Sequence, residues 1–86
     1  MTTWEYCDLL SGGGRIRLSP ANKFDEKDLA KIFPNGKVKR SKDNEILIEP
    51  KIDDGRSREL ILDYLGSNGW EAYAYYTSVY FLKRQK

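Results

Sequence analysis

The sequence predicts an α+β domain: a small, mostly antiparallel sheet with two helices, in the order ββα-ββ-α-ββ. Three observations predict it. Strand-like segments come in pairs separated by short turn signals, two amphipathic stretches begin at acidic caps, and 86 residues can fill only one core, so residues 1–86 are read as a single domain.

The opening segment Thr3 to Leu10 carries Trp4, Tyr6 and Cys7, bulky residues that favour strands, and Ser11-Gly12-Gly13-Gly14 interrupts it. Arg15-Ile16-Arg17-Leu18 then alternates, with both arginines on one face and both aliphatics on the other, which predicts a hairpin across the glycines. Asp25 is the expected cap of the first helix, with Phe24 and Leu29 as a hydrophobic staple and Leu29, Ile32 and Phe33 as the buried stripe. Pro34-Asn35-Gly36 stops that helix. Lys37 to Lys42 and Glu45 to Glu49 form a second hairpin across Asp43-Asn44; a two-residue turn there would set Ile46 and Ile48 opposite Ser41 and Lys39, so its facing is left open. Asp53-Asp54-Gly55 opens the second helix, Arg56 to Leu65, with Gly66 and Gly69 as left-handed stops. Trp70 to Tyr76 and Val79 to Arg84 make the third hairpin around Thr77-Ser78. A sparse internal repeat at an offset of 33 residues matches Asn35-Gly36 with Asn68-Gly69, and Ile46 and Ile48 with Val79 and Phe81.

Net charge is +2, unevenly spread: Arg15 to Lys42 holds nine basic and three acidic residues, Asp43 to Asp63 seven acidic and three basic. Such polarity can steer an anionic partner, but charge runs are usually solvated faces, and a surface mixed for solubility is the preferred reading. No stretch has the ~20 apolar residues of a membrane span. The start, Met1-Thr2-Thr3-Trp4-Glu5, has no secretory pattern and Cys7 is the one cysteine, so a reducing cytoplasm is the expected location.

Trp4-Glu5-Tyr6, a helix over Glu59 to Leu65, Gly69-Trp70-Glu71, and a closing Tyr80-Phe81-Leu82-Lys83-Arg84 resemble the pattern of a family of short bacterial proteins known as domain of unknown function 4177. The resemblance covers about the first ten and last thirty residues, and Arg15 to Lys51 has no counterpart in it. It implies a strand, a helix and a closing hairpin, and no activity.

Histidine is absent, removing the commonest general base and metal ligand. Cys7 falls mid-strand beside Asp8, whose charge opposes a reactive thiolate. Asp53 and Asp54 are explained by helix capping, and the glycine triplet lacks the following helix that a phosphate cradle needs. Catalysis is therefore not expected, and no cofactor, metal or small-molecule substrate is.

The last hairpin is the informative feature. A two-residue turn sets Tyr76 opposite Val79, Tyr75 opposite Tyr80, Ala74 opposite Phe81 and Tyr73 opposite Leu82. Alanines 72 and 74 let a helix approach, so Trp70, Ala72, Ala74, Tyr76, Val79 and Phe81 are read as the core side. The other side, Tyr73, Tyr75, Tyr80 and Leu82 with Arg84 at its edge, is then an open aromatic face for a protein partner or for self-association, unless the first helix or the middle hairpin folds over it. The same tyrosines also fit single-stranded nucleic acid, with Arg15, Arg17, Lys37, Lys39, Arg40 and Lys42 as phosphate contacts.

Overall fold

The structure, a computed structural model, describes residues 3–86; Met1 and Thr2 of the opening segment lie outside them. The strands are β1 (Trp4–Gly12), β2 (Arg15–Ser19), β3 (Lys37–Arg40), β4 (Ile46–Glu49), β5 (Glu71–Tyr76) and β6 (Val79–Gln85). The helices are α1 (Glu26–Ile32) and α2 (Asp54–Ser67), with one 3-10 turn, Ala21–Lys23, ahead of α1. The element order is the expected one. All six strands join one antiparallel sheet in the order β3-β4-β2-β1-β6-β5.

Local chemistry sets the ends of these elements. Gly13 and Gly14 take φ of +60° and +75° between Gly12 and Arg15, while Thr77 and Ser78 take +47° and +68° between Tyr76 and Val79. Positive φ at both central residues gives the turn a twist that matches its flanking strands. The Asp25 carboxylate accepts from the Lys27 N–H at 2.8 Å and starts α1; Asp53 accepts from Arg56 N–H at 2.9 Å and starts α2. Gly66 lies inside α2 rather than ending it. The helix stops at Gly69, whose φ is +88°, and Trp70 N–H turns back to the Leu65 carbonyl at 3.0 Å.

The middle hairpin, whose facing the sequence leaves open, has a longer loop than a two-residue turn. Arg40 pairs with Ile46 and Val38 with Ile48, Ser41 N–H donates to the Glu45 carbonyl at 2.8 Å, and Asn44 supplies the positive φ. One residue of difference reverses which side chains share a face. Val38 therefore joins Ile46 and Ile48 against the core.

Both helices lie on one side of the sheet. Cys7, Leu9, Ile16, Leu18, Ile46, Ile48 and Leu82 meet Leu29, Phe33, Ile61 and Leu65, with Ala21, Phe24 and Trp70 completing the buried cluster. Each fully buried Leu or Ile contributes about 1.5–3 kcal/mol by leaving water.

The third hairpin corrects the sequence reading. Leu82 is 2% exposed and Tyr80 packs on the core, whereas Val79 and Phe81 stand on the opposite side. The cause is the pairing of β6 with β1, which sets Leu82 opposite Cys7 and Tyr80 opposite Leu9, both on the helix side. A bulge between Ala72 and Ala74 adds a second change: Ala72 takes the place opposite Leu82, and Tyr73 swings to the face opposite the helices.

The sheet order is symmetric about the β1–β2 boundary: on each side the central strand pairs with the second strand of a hairpin that follows a helix, β2 with β4 after α1 and β1 with β6 after α2. The repeat at offset 33 does not express this symmetry. It equates the inward Ile46 and Ile48 with the outward Val79 and Phe81, while the inward residues of β6 are Tyr80 and Leu82.

Candidate functional site on the bare face of the sheet

Among the described residues nothing covers the side of the sheet opposite the helices, and two chemically different halves share it. One row crosses all six strands in register: Lys39, Leu47, Arg17, Leu10, Val79 and Tyr76. Five inter-strand steps make that row about 24 Å long. It is cationic at the β3 end, aliphatic in the middle and aromatic at the β5 end.

The aromatic half is built by alternation along β1. Because Cys7, Leu9 and Ser11 point to the core, Trp4, Tyr6, Asp8 and Leu10 must point away from it. Trp4, Tyr6 and Tyr73 remain 39%, 54% and 52% exposed. Tyr6 meets Tyr73 edge-to-face at 6.2 Å, and the Lys83 ammonium sits 4.4 Å from the Trp4 ring centre and 5.7 Å from that of Tyr73. Phe81 and Val79, half-buried, extend the patch towards the centre of the sheet.

In the basic half, Arg15, Arg17, Lys37 and Lys39 surround a shallow basin of about 380 Å³ floored by Leu47. Arg17 lies 3.7 Å from Glu45, but among the described residues Arg15, Lys37 and Lys39 enter no ion pair. Asp8, Glu45, Glu49 and Glu71 are interspersed on the same face, so its charge is mixed. The Gly14 N–H is already engaged, donating to the Asp54 carboxylate at 3.1 Å.

Of the residues singled out from sequence, Tyr73, Arg15, Arg17, Lys37 and Lys39 share this face. Tyr75 stands on the helix side, 4.6 Å from Tyr80 and 60% exposed where the helices do not reach. Leu82 is core. Arg40 also belongs to the helix side, its register partner being Ile46, and bonds Glu26 of α1 at 2.8 Å. Lys42 projects from the β3–β4 loop. Trp4, Tyr6 and Lys83 were missed as a set; the alternation of the apolar Cys7 and Leu9, which follow Tyr6 in β1, is the signal that could have placed Trp4 and Tyr6 together.

Arg84 is a clamp rather than a docking residue. Its Nε donates to Glu5 at 2.8 Å, its Nη1 to the Asn68 carbonyl at 3.0 Å, and its guanidinium covers Trp70 at 4.5 Å. Lys23 reaches the same Glu5 carboxylate at 3.0 Å. The motif residues at the two ends of the chain thus meet: Glu5 with Arg84 on the helix side, Trp4 with Lys83 on the bare side. Hydrogen bonds from Arg84 and Lys23 hold the Glu5 carboxyl below its ordinary value of 4.5. A depressed folded pKa stabilises the fold above the ordinary pKa and loses that contribution as pH falls through the folded value. Wild type should therefore melt higher than Glu5→Gln at pH 7, with the gap closing as thermal melts are taken below about pH 4.5; a gap constant across that range would refute the clamp.

Cys7 is buried, and burial followed by the charge of Asp8 pushes its thiol up to about 12. At neutral pH it is not a thiolate nucleophile. No described helix is long and apolar enough to cross a membrane.

Comparison of the chain with protein-family models, with curated proteins and with solved structures returns no match.

Proposed function

We propose that this domain is a non-catalytic interaction module of the cytoplasm, docking a protein partner on the bare face of its sheet. One observation carries the reading: three half-exposed aromatic rings gather around Lys83 on a face that neither helix covers. Tyrosine and tryptophan bring large contact area at small entropic cost, and such anchors dominate protein interfaces. Acids alternating with cations across the same face suit a protein surface better than a continuous phosphate backbone.

The test is a double variant, Tyr6→Ser with Tyr73→Ser. Both rings are about half exposed, so the fold should lose no more than ~1–2 kcal/mol, mainly the edge-to-face and ammonium contacts. Proteins retained from lysate by the wild type should be lost, and Arg40→Gln on the opposite side should retain them all. Retention unchanged by the double variant would overturn the reading.

A second reading, single-stranded nucleic acid, is favoured by the four cations of the basin, which share the face with Tyr6, Tyr73 and Lys83. Anisotropy of labelled oligonucleotides separates the two, because phosphate contacts weaken steeply with salt, with a slope of about −0.7 per contact on single strands. Absence of binding at low salt removes this second reading and leaves the first.

A further inference from the structure

The two edges of the sheet are finished differently. β3 reads Lys37-Val38-Lys39-Arg40, and cations along an edge are a device that keeps edges from pairing. β5 reads Glu71-Ala72-Tyr73-Ala74-Tyr75-Tyr76, with no cation, no proline and a single charge, which lies 3.9 Å from Lys83 of its own chain. All six residues of β5 are exposed, on both faces of the sheet. The bulge occupies Ala72 to Ala74 and leaves Ala74 to Tyr76 in regular register beside the turn.

We propose that the protein self-associates through this edge, β5 pairing antiparallel with β5 of a second copy about a twofold axis at Tyr75. The backbone geometry selects that residue. Tyr76 and Val79 close a two-residue turn and so exchange hydrogen bonds, and two residues on Ala74 and Phe81 do the same. The N–H and C=O of Tyr75, between them, point away from β6 into solvent. In an antiparallel pair centred there, each Tyr75 donates to and accepts from its twin, and the two rings become direct cross-strand neighbours.

Charge agrees with this pairing. The two Glu71 carboxylates fall at opposite ends of the joined strands, whereas β3 against β3 would oppose three cations to three. The twofold axis is perpendicular to the sheet, so both bare faces lie on the same side of one continuous sheet of twice six strands. A dimer then presents two docking faces together and gains avidity for a repeated partner. The inference concerns the edge and stands whatever occupies the face.

Sedimentation equilibrium of the full chain, from micromolar to near-millimolar concentration, should show the mass rising from 10.0 kDa to twice that value and no further. Tyr75→Lys, which sets two ammonium groups against each other at the axis, should stay monomeric with an unchanged circular dichroism spectrum. Amide exchange on the wild type gives a readout independent of any variant: the Tyr75 N–H should slow by roughly tenfold or more where the dimer dominates. A chain monomeric throughout overturns the proposal. So does association that leaves the Tyr75 amide fast, which would place the contact elsewhere, or growth past the dimer, which would mean β5 pairing with β3.

Discussion

Replacing Leu82 by alanine should lower stability by about 2–5 kcal/mol, the range for truncating a fully buried leucine whose cavity only partly collapses. For a domain of this size each kcal/mol moves the melting midpoint by roughly 4–8 °C, so the variant should melt some 10 °C or more below wild type. Leu82 sits 2% exposed opposite Cys7, among Leu9, Ile61 and Leu65. Phe81→Ala, one residue away, removes a half-buried ring on the bare face and should cost less, about 1 kcal/mol. The comparison is decisive for the orientation of β6. Had alanines 72 and 74 marked the core side of the hairpin, the order of the two effects would be inverted. Urea denaturation of both variants measures it, and a Phe81→Ala loss exceeding that of Leu82→Ala would refute the orientation described above.

Gly36→Ala should be comparably damaging for a different reason. A Cβ at this position would collide with the Glu49 carbonyl oxygen and crowd the Cα and carbonyl of Pro50, all of them backbone atoms that cannot rotate aside. The turn after α1 is thereby pressed against the exit of β4, and Gly36 N–H also donates to the Phe33 carbonyl at 2.9 Å. Forcing a methyl group into such a contact costs about 1–3 kcal/mol or more. Gly12→Ala is the matched control, since nothing lies within 4 Å of its Cβ position and its φ is not positive. It should be neutral within about 0.5 kcal/mol. Equal urea midpoints for the two alanine variants would show that the close approach at Gly36 is absent.

The parts of the fold legible in the sequence are those with a local cause. Asp25 and Asp53 cap helices because a carboxylate accepts the first free backbone N–H groups, and both were readable. A hairpin across the glycines and a tight turn at Thr77-Ser78 were readable because so few residues separate strongly strand-forming runs, while the glycine stretch, read as a flexible loop, closes as a two-residue turn at Gly13-Gly14. Arg15 and Arg17 share a face because of simple alternation.

The candidate site was only partly legible. In β6 both alternate sets are apolar, Val79 and Phe81 against Tyr80 and Leu82, so periodicity names two faces without ranking them. The bulge at Tyr73 is invisible to alternation and moves that ring to the face of Tyr6. Arg40 looked equivalent to Lys37 and Lys39, yet an odd loop length and Glu26 of α1 took it to the other side.

By itself, then, the sequence determined the element order, the caps, the tight turn at Thr77-Ser78 and a supply of aromatic and cationic side chains on strands. Only the tertiary structure decided which side of the sheet receives the helices, and with that which rings are buried and which are left bare. The physical reason is that a strand's alternation has two phases of nearly equal local energy. The choice between them is made by long-range pairing, here of β6 with β1, whose Cys7 and Leu9 leave water together with Leu82.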